Sequence, residues 1–97
     1  QFAVVINYPN PAKEFTDFLI TLSAGARVEV RVFTMAGQPI RTLRATYAQP
    51  GVHQLRWNGR DTAGADIANG VYLYKVTAIA IDGDERDTFL GKLAVAR

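Results

Sequence analysis

No cysteine occurs among the 97 residues. No disulfide can staple the fold, and cysteine nucleophiles and thiolate metal sites are excluded. There is one histidine, His53, and one serine, Ser23. A Ser–His–Asp triad would have to use both, yet Ser23 sits in Leu22-Ser23-Ala24-Gly25, which reads as a turn and not as a G-x-S-x-G elbow. A single histidine with no cysteine leaves zinc without a plausible ligand set. Phosphate-cradling glycine loops of the P-loop and dinucleotide types are missing. No apolar run approaches the length of a membrane span, and no signal peptide is visible. The chain opens on Gln1 without an initiator methionine, so it is expected to be a piece of a longer protein. An excess of one charge is also lacking. Eleven basic and 9 acidic residues give a net charge of +2, with no basic run to predict nucleic-acid binding. Helical periodicity is almost absent.

What the chain has is two-residue alternation and turn signals. Hydrophobic residues make up 48%, which permits an apolar core at a length suited to one domain over residues 1–97. Seven strands are predicted, near residues 2–8, 15–22, 26–34, 39–44, 52–57, 70–81 and 85–96. In the third, Val28, Val30 and Val32 face one way while Arg27, Glu29 and Arg31 face the other. Turns are read at Pro9-Asn10-Pro11, Ala24-Gly25, Ala36 to Pro39, Gln49-Pro50-Gly51, Asn58-Gly59 and Asp82-Gly83. Short strands at this spacing predict an all-β, immunoglobulin-like antiparallel sandwich. Taken as a two-residue type I′ hairpin, Asp82-Gly83 pairs Val76 with Phe89, Tyr74 with Gly91 and Tyr72 with Leu93, all on one apolar face. Gly91 then leaves room for the Tyr74 ring. Trp57, Val30, Leu55, Tyr72, Val76 and Leu93 are the expected core. Tyr72 is placed like the tyrosine of a sandwich corner, its hydroxyl bonding back to the preceding loop.

Three clusters invite other chemistry. Asp82, Asp84, Glu85 and Asp87 could offer oxygens to calcium but lack EF-hand spacing, and read as a solvated hairpin tip. Asp61, Asp66 and Asn69, in the long loop after Trp57, could also offer oxygens to calcium. There Asp61 and Asn69 are expected to bond to loop backbone. Tyr8, Tyr47, Tyr72 and Tyr74 could stack sugars, but two of them fall on the inferred core face.

Read in order, the motifs are Tyr8-Pro9-Asn10-Pro11, Val28-x-Val30-x-Val32-Phe33, Ala36-Gly37, Gly51-x-His53-x-Leu55-x-Trp57-x-Gly59-x-Asp61-x-x-Gly64, Asn69-Gly70-Val71-Tyr72 and Gly91-Lys92-Leu93-Ala94-Val95. This set resembles the type A C-terminal signal domain of type IX secretion cargo in Bacteroidota, over nearly the whole chain. The resemblance implies a non-catalytic, cofactor-free sorting signal that folds in the periplasm and travels to the outer membrane or cell surface. Its implied partners are an outer-membrane shuttle barrel, other type IX components and a surface sortase, with no nucleic acid and no membrane insertion. The implied recognition element is Gly91, Lys92, Leu93, Ala94, Val95, Ala96 and Arg97. On physical grounds an edge strand offers unpaired backbone groups to a partner strand, and Lys92, pointing outward, serves either as a contact or as a guard against aggregation. Two other readings share parts of the pattern. One is a retained docking domain of the machinery. The other is a structural module like the immunoglobulin-like domain of flagellar hook-cap proteins, which carries the same Trp-x-Gly-x-Asp-x-x-Gly pattern.

Overall fold

The computed structural model describes residues 1–97. Its strands are β1 (Ala3–Tyr8), β2 (Thr16–Leu22), β3 (Ala26–Thr34), β4 (Pro39–Tyr47), β5 (Gly51–Trp57), β6 (Gly70–Ala80) and β7 (Arg86–Val95). They form two antiparallel sheets, one ordered β1-β2-β5 and the other β4-β3-β6-β7. The immunoglobulin-like all-β expectation holds. The strand β4 runs three residues further than the apolar pattern suggested, because Ala45 to Tyr47 continue to pair with Val28 to Ala26.

Alternation places the core. The buried side chains of β2 (Phe18, Ile20, Leu22) meet those of β3 (Ala26, Val28, Val30, Val32) and β6 (Tyr72, Val76, Ala78, Ala80) across the gap between the sheets. Trp57, 1% exposed, is the largest fully buried side chain. Its indole nitrogen would be costly to bury unpaired; it donates to the Arg60 carbonyl at 2.9 Å. Phe18 and Tyr74 pack edge to face at 5.1 Å between centroids. Leu55 departs from expectation: it is only half-buried, because β5 is the last strand of its sheet and has no neighbour on one side.

The β6–β7 register is the expected one, with Tyr72 opposite Leu93, Tyr74 opposite Gly91 and Val76 opposite Phe89. The Tyr74 ring lies across Gly91, where a Cβ would fall inside the phenol. Burial raises the Tyr74 phenol above its ordinary pKa. The turn itself differs from the type I′ expectation. That type needs positive φ at both central residues, and only Gly83 has it (φ 110°). The ladder ends instead at the Ala80 amide, bonded to the Glu85 carbonyl at 2.9 Å, while the Ile81 amide leaves the hairpin for the Gly25 carbonyl at 3.0 Å. A non-local bond thus widens the tip.

Two stability outcomes follow. Trp57→Ala should cost about 3–5 kcal/mol in chemical denaturation, from lost burial plus a cavity; a cost below about 1 kcal/mol would mean the indole does not hold the sheets together. Gly91→Ala should cost about 1–3 kcal/mol through overpacking, and pairing it with Tyr74→Leu should recover part of that loss. Additive losses in the double variant would rule out this collision.

Candidate functional site

The strand β7 has β6 on one side and no strand on the other. Half of its open side is nevertheless closed by the Pro9 to Ala12 segment. The Asn10 side chain accepts from the Ala94 amide at 3.0 Å and donates to the Lys92 carbonyl at 3.1 Å. The Ala12 amide donates to the Ala94 carbonyl at 2.7 Å, and the Ala12 carbonyl accepts from the Ala96 amide at 2.8 Å. Ala12 is buried and bridges Val95 in parallel. The Pro-Asn-Pro motif therefore delivers a side chain that imitates backbone, followed by one residue of true strand pairing.

Arg97 is tied down as well. Its guanidinium donates to the carbonyls of Ile67 and Gly59, the latter at 2.7 Å, and lies 3.6 Å from the Asp66 carboxylate. Its backbone pairs with the Asn69 side chain, amide to Oδ1 at 2.9 Å. Asn69 is expected to bond its own loop, and it grips Arg97, two residues beyond β7, instead. Gly59 has a φ of 70°, and a Cβ there would meet the Arg97 guanidinium. The rest of the Trp57 to Tyr72 motif is likewise built into the loop. Asp61 Oδ1 accepts from the Ala65 amide at 2.9 Å, as expected, and the Tyr72 hydroxyl donates to the Ala68 carbonyl at 2.6 Å.

Of the seven residues of the expected recognition element, Leu93 and Val95 are core. Gly91 lies beneath Tyr74. Ala94, Ala96 and Arg97 bond to the Asn10–Ala12 segment or the long loop. Lys92 alone presents an exposed, unpaired side chain. The other candidate groups have separate structural roles. Ser23 Oγ donates to the Phe2 carbonyl at 3.3 Å, whereas His53 stacks on Tyr47 at 4.2 Å and its Nε2 lies 2.8 Å from the Gln49 carbonyl. Asp87 does not belong to a solvated tip: it turns inward and accepts from the Phe2 and Ala3 amides at 2.8 and 2.9 Å. The tyrosines are dispersed, with Tyr72 buried, Tyr74 packed on the core and Tyr8 70% exposed.

Register also creates a feature that no single strand displays. The pairings of β4, β3, β6 and β7 put Arg27, Arg31, Arg44, Lys75, Arg86 and Lys92 on the outer face of the larger sheet, all exposed, with Glu29 as the only acid. Six cations less one anion give this face +5 in a chain of +2. The remaining surface, with five basic and eight acidic residues, carries −3. Glu29 is already engaged, at 3.1 Å from Arg44 and 3.6 Å from Arg31. Sequence reasoning missed this array because it required the alignment of four strands at once.

Comparison with known proteins places the chain among domains of the same fold. A family model described as the FlgD Ig-like domain matches residues 6–82. No curated protein matches the sequence. Among solved structures, dimeric latent PorU of Porphyromonas gingivalis is similar over 97% of this chain, with a TM-score of 0.81 and 24% identity. FlgD of Xanthomonas campestris, described in connection with hook capping in flagellar assembly, is similar over 96% with a TM-score of 0.66 and 19% identity. PorZ of Porphyromonas gingivalis, described as an essential surface component of the type IX secretion system, is similar over 96% with a TM-score of 0.55 and 24% identity. At these identities the likeness establishes the fold. This chain spans 9% of PorU, 66% of the Xanthomonas FlgD and 11% of PorZ.

The Asn10 clip makes a direct prediction. Asn10→Ala removes two hydrogen bonds from the β7 edge and should cost about 1–2 kcal/mol. It should also speed hydrogen exchange at the Ala94 amide by more than at the core amides of β3, which follow only the global loss of stability. Unaltered exchange at Ala94 would show that the clip does not close the edge.

Proposed function

This chain belongs to the FlgD Ig-like domain family, and on that premise we propose that it is a non-catalytic docking module for the type IX secretion apparatus, acting as a C-terminal signal domain. The observation that carries the reading is the extent of the match to PorU, nearly the full chain at a TM-score of 0.81, against 0.66 for FlgD of Xanthomonas campestris. Support also comes from PorZ, the neighbour described as a surface component of the type IX secretion system, and from the ordered motifs that end in Gly91 to Val95. In this reading the domain folds in the periplasm, and its β7 edge with Lys92 meets an outer-membrane shuttle barrel or another component of the machinery. The cargo is then carried to the cell surface, where a sortase either removes the domain or leaves it in place. The tightly bonded residues Ala94 to Arg97 shape that edge, and Lys92 makes the contact.

One finding favours a second reading. The family model describes the immunoglobulin-like domain of a flagellar protein, which suits a module whose role is only to hold neighbouring domains in place.

The two readings separate in a transport assay. The chain, fused behind a periplasmic reporter in a type IX-competent cell, should bring the reporter to the surface, and in a strain lacking the translocon the reporter should remain periplasmic. Periplasmic retention in the competent strain, with the domain folded, would reject the signal reading in favour of the structural module.

A further inference from the structure

The part of β7 that the Asn10–Ala12 segment leaves uncovered has its own chemistry. In an antiparallel strand every second residue directs both its N–H and its C=O to the same side. The Lys92 carbonyl, both groups of Ala94 and the Ala96 amide point away from β6 toward residues 10–12. By the same alternation Thr88 and Leu90 point theirs outward, where no residue of this chain meets them. Natural sheet edges are blunted by charge, proline or bulges because such groups invite another strand. Here the centre of the open stretch is Leu90, 79% exposed, the most exposed large hydrophobic residue of the chain. Lys92 and Arg86 stand two positions beyond Thr88 and Leu90 on either side, on the outer face that carries +5.

We infer that Thr88 to Lys92 is an open docking edge that takes up one β-strand from an acidic partner protein, a segment with an apolar side chain opposite Leu90 and carboxylates opposite Lys92 and Arg86. Backbone pairing supplies the attachment, and alternate side chains select the partner. The slot is bounded at one end by Asn10 against the Lys92 carbonyl and at the other by the acidic tip of Asp82, Asp84 and Glu85. It admits about seven residues, roughly 23 Å of strand. The charge on the flanking face is available to a partner, because the one acid there is already held by two arginines. Oppositely charged faces raise association rates and reject wrong partners. This inference rests on the docking reading above and names the partner chemistry for it.

The test uses this chain and a disulfide-cyclised hairpin peptide whose free strand carries Glu, Val, Thr and Glu at alternate positions, designed to face Lys92, Leu90, Thr88 and Arg86. A second hairpin has Lys in place of each Glu, and a third is the acidic peptide N-methylated along its pairing edge. The acidic hairpin should bind at least tenfold more tightly than the other two, more weakly as salt rises, and should slow hydrogen exchange at the Thr88 and Leu90 amides. Lys92→Glu should weaken it at least tenfold. Leu90→Pro should abolish binding while keeping the β6 ladder, because proline removes only an outward N–H. Equal binding of the N-methylated peptide, protection mapping to the smaller sheet, or no binding at all would overturn the inference, and the first of these measurements needs no variant to fold. A dimer seen by sedimentation and lost in Leu90→Pro would assign the edge to a second copy and overturn the acidic partner. If the reporter is exported while the hairpin ignores this edge, the edge inference falls and the transport reading stands; the reverse result separates them the other way.

Discussion

A single buried N–H organises much of this domain. With no disulfide, the two sheets are held by packing around Trp57, and that indole can be buried only because the chain turns back to place the Arg60 carbonyl against it. The turn needs Gly59 in a left-handed conformation. The same glycine leaves the gap into which the Arg97 guanidinium reaches, and its carbonyl receives that guanidinium. The loop then buries Ile67, offers the Ala68 carbonyl to the Tyr72 hydroxyl, and enters β6. Core, loop and Arg97 are therefore one connected set of constraints. The Trp-x-Gly-x-Asp-x-x-Gly pattern reads as the condition for burying one tryptophan, and in that sense it belongs to the scaffold.

How much was legible in the sequence depended on the range over which each feature is determined. Strand positions and the β6–β7 register were readable, since the apolar face and the Asp82-Gly83 turn each imply the same pairing. The turn type was not, because it is decided by a bond from Ile81 to Gly25, across more than 50 residues. Leu55 has the alternation of a core residue, and only sheet order reveals that β5 is a border strand. Asn10 was visible as part of a motif, but its bonds to Lys92 and Ala94 span 82 and 84 residues and leave no local trace. In β3 the outward positions read Arg27, Glu29, Arg31, an apparently mixed surface. Only the neighbouring strands add the cations that make it strongly positive.

Membership of the FlgD Ig-like domain family and likeness in fold to PorU and to the type IX surface component PorZ are compatible once scaffold and surface are considered separately. The glycines, Trp57, Asp61 and Tyr72 satisfy backbone and indole groups that any such sandwich must satisfy. The concentration of positive charge on the outer face of the larger sheet and the half-covered β7 edge are not required for folding.

The pairing of Ala12 with Val95 has a mechanical consequence. The two segments run parallel, so tension that draws the chain before Ala12 away from the chain after Val95 acts along the strands and not across them. The bonds of Ala12 to Ala94 and Ala96, with those of Asn10 to Lys92 and Ala94, then carry the load together and must give way nearly at once. Bonds pulled perpendicular to a strand open one at a time, as a zip does. A domain pulled in this way would thus resist extension most strongly along the axis of these two segments, without any covalent lock.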